Sequence, residues 1–179
     1  YSIGVIEGDQ ETANDADRIR ETGVSAVQIN TGSGCHLDAH MVGHAVEDLP
    51  AMSNAILFVE NVGNLVCPAS FDLGESAKVV ILSSTEGDDK PLKYPDMFAA
   101  AATMVLSKTD LLPYVDFNAD KAIENALAIN PDLNCIQVSS NTGEGMYNWI
   151  NWIEFKAAKV AAARSKHPNL VPSLKHHHA

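Results

Sequence analysis

The stretch Ile56-Leu57-Phe58-Val59-Glu60-Asn61-Val62-Gly63 has the pattern of a buried β-strand that runs into a functional loop. Its first four residues are apolar without alternation, as in a strand whose two faces are both covered. An acidic residue, Glu60, closes the run, and Gly63 follows three residues later. Further apolar runs of the same kind occur at residues 3–6, 26–29, 79–82, 104–106 and 135–138.

Amphipathic stretches separate these runs, at residues 11–22, 37–48, roughly 94–101, 119–129 and 144–164. The alternation predicts an α/β fold with a mostly parallel sheet flanked by helices. Ligands of such sheets bind at the carboxyl ends of the strands, so we expect the polar motifs at those ends to share one site. The last helix carries an aromatic stripe, which we interpret as core packing: Trp149, Trp152, Ile153 and Phe155.

The composition argues against several classes of protein. A chain of 179 residues suits one domain, and its formal net charge of −11, with 23 acids against 12 bases, argues against a nucleic-acid or membrane-surface partner. No apolar run approaches the roughly 20 residues of a membrane span, and the acid-rich start lacks the pattern of a signal peptide. Three cysteines without framework spacing predict a reducing, cytoplasmic location.

A metal site is predicted from Cys35, His36 and Cys67. Cys35 and His36 lie in a loop after one strand, and Cys67 follows another strand. Thiolate and imidazole ligands suit zinc, nickel or copper better than magnesium. The alternative is that the cysteines are small core residues, and for Cys135, which lies inside the last strand, we favour that interpretation.

One monomer supplies only these three strong ligands, so the metal shell needs a further donor. The candidates are water, His40 and a residue of a second chain. His36, His40 and His44 are spaced at i, i+4 and i+8, which places them on one face of a helix. Packed or solvated histidines also have this spacing, and His40 is the more plausible extra ligand of the latter two.

A guanine-reading motif follows the fifth apolar run, at Ser107-Lys108-Thr109-Asp110. In the pattern Asn/Thr-Lys-x-Asp, the carboxylate accepts from N1–H and the exocyclic amine of guanine, and the lysine stem lies over the ring. Ser107 departs from the pattern at its first position. A second loop, which contains Ser139, Ser140 and Asn141, follows the last strand and is typical of the loop that completes a base pocket. The alternative is a set of solvated loop charges.

Acidic residues at two strand ends predict a phosphate and magnesium site. An acid at the position of Glu60 holds magnesium in P-loop enzymes, and Gly63 would let the backbone approach the γ-phosphate. Asp9 ends the first strand, where it would coordinate magnesium or orient the attacking water. Equally, Asp9 could cap the helix that begins near Glu11.

Longer stretches of sequence that contain or flank these motifs lie between about Gly4 and Trp152. They include Ile6-Glu7-Gly8-Asp9-Gln10, Gly34-Cys35-His36-Leu37-Asp38-Ala39-His40-Met41-Val42, Glu60-Asn61-Val62-Gly63-Asn64-Leu65-Val66-Cys67-Pro68 and Thr85-Glu86-Gly87-Asp88-Asp89-Lys90-Pro91-Leu92-Lys93-Tyr94-Pro95. Together they resemble the HypB family of hydrogenase nickel-incorporation GTPases. The resemblance implies a P-loop NTPase-like, SIMIBI-type G domain over residues 1–167. Residues 168–179 form a tail that is either a tag remnant or a natural metal-binding segment.

The resemblance also implies a function. It implies a cytoplasmic homodimer that binds GTP/GDP, Mg²⁺ and Ni²⁺ or Zn²⁺, and that delivers nickel to the large subunit of [NiFe]-hydrogenase with a HypA-type nickel protein. By position, Cys35, His36 and Cys67 form the metal site near the dimer interface. Asp9 and Glu60 serve magnesium and the phosphates, and Lys108 and Asp110 read guanine beside the 139–143 loop.

One departure from the family is large. Members carry a glycine-rich loop ending in Gly-Lys-Thr or Gly-Lys-Ser ahead of the region that matches here. This sequence contains no G-x-x-x-x-G-K-[ST], and Thr31-Gly32-Ser33-Gly34 lacks the lysine. We therefore expect it to be part of a longer chain whose missing segment holds the first strand, the P-loop and its helix. The alternatives are a metal-binding module without GTP turnover and an inactive paralogue.

Overall fold

The computed structural model describes residues 1–9 and 14–166, and it has the predicted alternation of strands and helices. The strands are β1 Ser2–Asp9, β2 Ser25–Asn30, β3 Ala55–Glu60, β4 Val79–Ser83, β5 Thr103–Ser107 and β6 Asn134–Gln137. The helices are α1 Asn14–Glu21, α2 Ala39–Asp48, α3 Lys90–Lys93, α4 Pro95–Ala100, α5 Ala119–Ile129 and α6 Met146–Lys166, with 3₁₀ turns at Cys67–Ser70 and Thr109–Tyr114. The predicted tail at 168–179 lies outside the described residues.

The strands form two parallel sheets of three strands each, in the orders β2-β1-β3 and β4-β5-β6. The prediction of parallel strands is confirmed, but the expectation of one sheet is wrong for the described residues. Among the described strands, β3 pairs only with β1, and β4 pairs only with β5. No described strand bridges these two edges, so each sheet ends there.

Burial differs between the strands. β1 is buried along its middle, as its apolar run predicts. In β3, Leu57 is 38% exposed, and in β4, Ile81 is 62% exposed. The expectation that every strand is covered on both faces is therefore wrong at β3 and β4, because the described chain places no element over these side chains.

Three apolar clusters support the sheets. One lies around β1 and α2 and includes Ile6 and Leu37, which are both fully buried. A larger one joins β4 and β5 to α4 and α5, with Phe98 at its centre. Complete burial of such a side chain contributes roughly 1.5–3 kcal/mol. The half-buried Cys135 packs against the larger cluster, as we predicted.

The aromatic stripe of α6 is only partly a core feature. Trp149 and Trp152 pack against a third cluster formed by β5 and β6, and their rings stack at a centroid distance of 5.3 Å. Phe155, however, is 55% exposed, so its prediction as a core residue is wrong. Within the described residues, no helix is both long enough and apolar enough to cross a membrane.

Candidate functional site

The two loops that follow β2 and β3 bring Cys35, His36 and Cys67 together. One donor atom from each of these residues lies within 4.8 Å of the other two. The two Sγ atoms are 2.7 Å apart, and His36 Nδ1 lies 3.6 Å from Cys35 Sγ. All three side chains are half-buried. Two thiols and one imidazole are ligand types that suit nickel or zinc.

Packing and capping hold the first of these loops. Leu37 is fully buried against β1 at Gly8, where a Cβ would lie only 2.8 Å from Leu37 Cγ. Any larger residue at position 8 would displace Leu37. Asp38 accepts from the Met41 backbone N–H at 2.8 Å and so caps α2. The cap explains why α2 begins at Ala39 rather than at residue 37, and why Cys35 and His36 lie in a loop.

The second loop is held by a lysine and touches the imidazole. Lys78 Nζ donates to the carbonyl oxygens of Pro68 at 3.1 Å, Ala69 at 3.4 Å and Phe71 at 2.9 Å. The Phe71 ring stacks on the His36 ring, with centroids 3.7 Å apart and an angle of 19° between the planes. This stack fixes the plane in which the imidazole can face a metal.

We expect Phe71→Leu to weaken zinc binding about tenfold, as groups that orient metal ligands commonly do. Phe71→Tyr keeps the stacked ring and should bind zinc like the wild type. Chelator competition gives the affinity. In a His36→Ala background, Phe71→Leu should add no further loss, because the ring acts through the imidazole. An equal loss in both backgrounds would contradict this role.

The thiols themselves are electrostatically linked. A hydrogen bond with Cys35, followed by burial and the proximity of Cys35, raises the pKa of the Cys67 thiol above its usual value. The metal-free site therefore keeps a proton on Cys67, which an incoming metal ion displaces.

The other histidines lie apart from this group. His40 and His44 contact each other on the exposed face of α2, with Nε2 atoms 3.3 Å apart and rings in an edge-to-face arrangement. His36 precedes the helix, so the three histidines do not share one helix face as we expected. The structure does not bring His40 into the group formed by Cys35, His36 and Cys67.

Four carboxylates cluster at the carboxyl end of β1 and β3. Glu7 lies opposite Glu60 across the two strands, and both interact electrostatically with Asp9 and Asp15. Burial, followed by the charges of Glu60, Asp15 and Asp9, raises the pKa of Glu7, and burial and the two aspartates raise that of Glu60. Among the described residues, the group of donors close enough together to hold one metal ion is Cys35, His36 and Cys67. The magnesium role of Asp9 and Glu60 therefore stays a prediction from the sequence.

Of these four carboxylates, Asp9 and Glu60 are predicted from the sequence motifs, whereas Glu7 and Asp15 are not. Glu7 is only 3% exposed, and its Oε2 has no hydrogen-bond partner among the described residues. A glutamate inside an apolar strand, two residues before Asp9 and therefore on the same face, was the available signal. Asp15 lies in the first turn of α1, and nothing in its spacing indicates that it approaches β1.

We expect Glu7→Gln to stabilise the protein at pH 8 by about 1 kcal/mol, or ~3 °C in Tm, because it removes a buried charge that Glu60, Asp15 and Asp9 repel. A carboxyl whose pKa is raised by folding binds more protons when folded. Stability is therefore lost as the pH rises from the unfolded pKa through the folded pKa.

The gain should thus shrink below the unfolded pKa, at about pH 4, where Glu7 is protonated in both states. Thermal unfolding without added metal tests this. Glu21→Gln, at an exposed position of α1, is the control and should change little. A Glu7→Gln effect that is the same at both pH values would contradict the electrostatic origin.

The two loops predicted to read guanine lie at the carboxyl ends of β5 and β6. Ser139 Oγ donates to Asp110 Oδ1 at 2.6 Å, and Asn141 Nδ2 lies 3.5 Å from Asp110 Oδ2. The hydrogen bond from Ser139 lowers the pKa of Asp110. The carboxylate therefore stays ionised, and its oxygens keep lone pairs for further donors. The structure brings the two predicted loops together.

Lys108, two residues before Asp110, has an unusual backbone conformation and an exposed side chain. Lys108 adopts a left-handed conformation, with φ of 58°, and Ser84 Oγ donates to its carbonyl at 2.7 Å. The Lys108 side chain is exposed, as are Ser140 and Asn141. Gly63, in the loop after β3, is also exposed and has open space around it. These positions are accessible to a nucleotide.

Comparison with known proteins gives a consistent result. Residues 1–137 match the family model "CobW/HypB/UreG, nucleotide-binding domain". The chain is 67% identical over 165 residues to the hydrogenase maturation factor HypB of Rhizobium leguminosarum bv. viciae, covering 92% of this chain and 55% of that one. It is 43% identical to the probable HypB of Methanocaldococcus jannaschii, covering 89% and 72%. The chain thus spans about half the length of relatives such as the Rhizobium protein.

Solved structures show the same relationship. The crystal structure of HypB from Helicobacter pylori in complex with nickel aligns with a TM-score of 0.84 at 39% identity, covering 89% of this chain and 76% of that one. HypB from Archaeoglobus fulgidus aligns with a TM-score of 0.80 at 39% identity, covering 87% and 76%. This chain, an α/β fold of the P-loop NTPase type with parallel sheets flanked by helices, therefore belongs to the HypB family within the CobW/HypB/UreG nucleotide-binding domains.

Proposed function

We propose that this chain is the nucleotide- and metal-binding part of a GTPase that delivers nickel during [NiFe]-hydrogenase maturation. The observation that carries the proposal is the thiol pair of Cys35 and Cys67 beside His36, 2.7 Å apart at Sγ, in a chain that also holds the Asp110 base site. The names of the relatives and the nickel complex of the Helicobacter protein support it. Nickel is the cargo, and zinc is an alternative occupant of the same donors.

The proposed nucleotide site combines the loops after β5 and β6 with the carboxylates at the ends of β1 and β3. Asp110 would accept from the two donors of guanine, with the Lys108 stem over the ring. Asp9 and Glu60 would hold Mg²⁺, which neutralises charge on the phosphates when it is bound. Gly63 leaves room for the γ-phosphate.

A short segment links the carboxylates to the thiols. Cys67 lies seven positions after Glu60 in the chain. Asn61 Oδ1, directly after Glu60, accepts from the backbone N–H of Leu37 at 2.8 Å, next to His36. A shift of Glu60 with the nucleotide would therefore reach both metal loops. A switch of this kind requires that the two nucleotide states bind the metal with different affinities.

The proposal includes partners. Three ligands from one chain leave a metal shell open, so a second copy of the chain or a water completes it, and we propose a homodimer. A HypA-type nickel protein would supply the metal, the hydrogenase large subunit would receive it, and the cytoplasm would be the location.

The test is the nickel affinity with GDP and with a non-hydrolysable GTP analogue, in a protein that also carries the family's Gly-Lys-Thr/Ser loop. We expect a ratio of roughly 5–150, the usual range of allosteric coupling. Equal affinities in the two nucleotide states would contradict gating by GTP.

A second candidate function is metal binding without GTP turnover. It is favoured by one observation, that these 179 residues contain no G-x-x-x-x-G-K-[ST] motif. A phosphate-release assay on a protein that also carries the family's Gly-Lys-Thr/Ser loop distinguishes the two candidates, because turnover above background would reject the second one.

A further inference from the structure

The side chain of Asn64 joins the two loops that carry the thiols. Its Nδ2 donates to the carbonyl oxygen of Cys35 at 2.6 Å. Its Oδ1 accepts from the backbone N–H groups of Val66 at 3.0 Å and Cys67 at 2.9 Å. The single amide thus makes three hydrogen bonds and connects backbone positions 32 residues apart in the chain.

These contacts match the chemistry of an amide and of no other side chain of this size. Two N–H donors on one side require an acceptor, and a carbonyl on the other side requires a donor. Aspartate supplies only acceptors, and leucine supplies neither. The half-buried position of Asn64 means that water replaces these bonds only in part when they are lost.

A neighbouring asparagine has a simpler role. Asn61 uses Oδ1 alone, which accepts from Leu37 N–H at 2.8 Å and Val62 N–H at 2.9 Å. Aspartate at position 61 would keep both of these contacts. Asn64→Asp and Asn61→Asp therefore add the same charge to the same loop, but only Asn64→Asp removes a donor that reaches across to the other loop.

We propose that Asn64 is a positioning residue that sets the distance between the Cys35 and Cys67 thiols and thereby tunes metal affinity. The inference about affinity rests on the proposed metal-binding function, whereas the inference about thiol distance does not. Asn64 acts through the backbone of both cysteines and needs no contact with the metal.

Thiol proximity is measured first, without metal, in a Cys135→Ser background that leaves the two site thiols. Dibromobimane becomes fluorescent when its two arms alkylate neighbouring thiols, and monobromobimane reports simple thiol accessibility. We expect Asn64→Asp to lower the ratio of bridging to single alkylation at least about fivefold and Asn61→Asp to leave it unchanged. The monobromobimane rate, taken by itself, should match the wild type in both variants, because a partly unfolded variant would alkylate faster. An unchanged ratio in Asn64→Asp would overturn the proposal.

Zinc affinity is measured next by chelator competition. We expect a loss of about tenfold in Asn64→Asp, within the range for groups that orient metal ligands, and no loss in Asn61→Asp. In a Cys67→Ser background, Asn64→Asp should cost nothing more, since the thiol pair no longer exists. A loss of the same size there would show a merely structural role and overturn the proposal. If the wild type bound no zinc, the proposed function would fail, while the bridging ratio would still decide the thiol distance.

Discussion

Cys67→Ser is expected to weaken zinc and nickel binding by more than about 100-fold, beyond the range for residues that only orient metal ligands. Cys67 shares the site with Cys35 at a Sγ–Sγ distance of 2.7 Å and with the His36 imidazole. A serine hydroxyl is a hard, neutral donor and does not replace a thiolate for these metals. Competition with a chromophoric chelator measures the change.

Cys135→Ser is the matched control for this substitution. Cys135 is also a half-buried thiol, but it packs against the cluster around β4 and β5 and lies outside the group of metal donors. Its substitution should leave metal affinity within about twofold of the wild type, because it contacts no donor of the site. If the two serine variants bound metal equally well, the site would lie elsewhere.

Asp110→Asn is expected to weaken GDP binding by more than about 100-fold, because two hydrogen bonds to a charged group contribute about 3 kcal/mol or more. The amide accepts through one oxygen only and presents N–H groups to the second guanine donor. Xanthine carries a carbonyl at that position, so xanthosine diphosphate should bind the variant better than GDP does.

The nucleotide measurement uses a protein that includes the family's phosphate-binding loop. Asp132→Asn changes an exposed acid in the loop before β6 and serves as the charge-matched control. Retention of full GDP affinity by Asp110→Asn, or loss of the same size in Asp132→Asn, would contradict a base-reading role for Asp110.

Local patterns predicted most elements of the fold. The bounds of α5 agree with the predicted 119–129, because Asn118 caps the helix by accepting from the Lys121 N–H. The helix expected near 94–101 is instead α3 and α4, which meet at Tyr94. Pro95 disfavours helical geometry at the preceding residue and begins α4. The apolar run predicted that residue 81 lies in a strand, but not that Ile81 is exposed.

Only those residues of the candidate site whose own side-chain type indicates metal binding could be predicted from the sequence. Cys35, His36 and Cys67 are soft donors at strand ends, and the parallel topology brought them together. Asn64 and Phe71 escaped prediction because their roles depend on contacts across about 30 residues or more, which no periodicity encodes.

Nickel K-edge X-ray absorption on this chain, loaded with one equivalent of nickel, identifies the donor atoms that bind the metal. We predict a shell with two sulfur donors and one imidazole nitrogen, in which the sulfur contribution disappears in the Cys35→Ser, Cys67→Ser double variant. A shell of oxygen and nitrogen donors alone, or sulfur that persists in the double variant, would contradict the metal site on which the account depends.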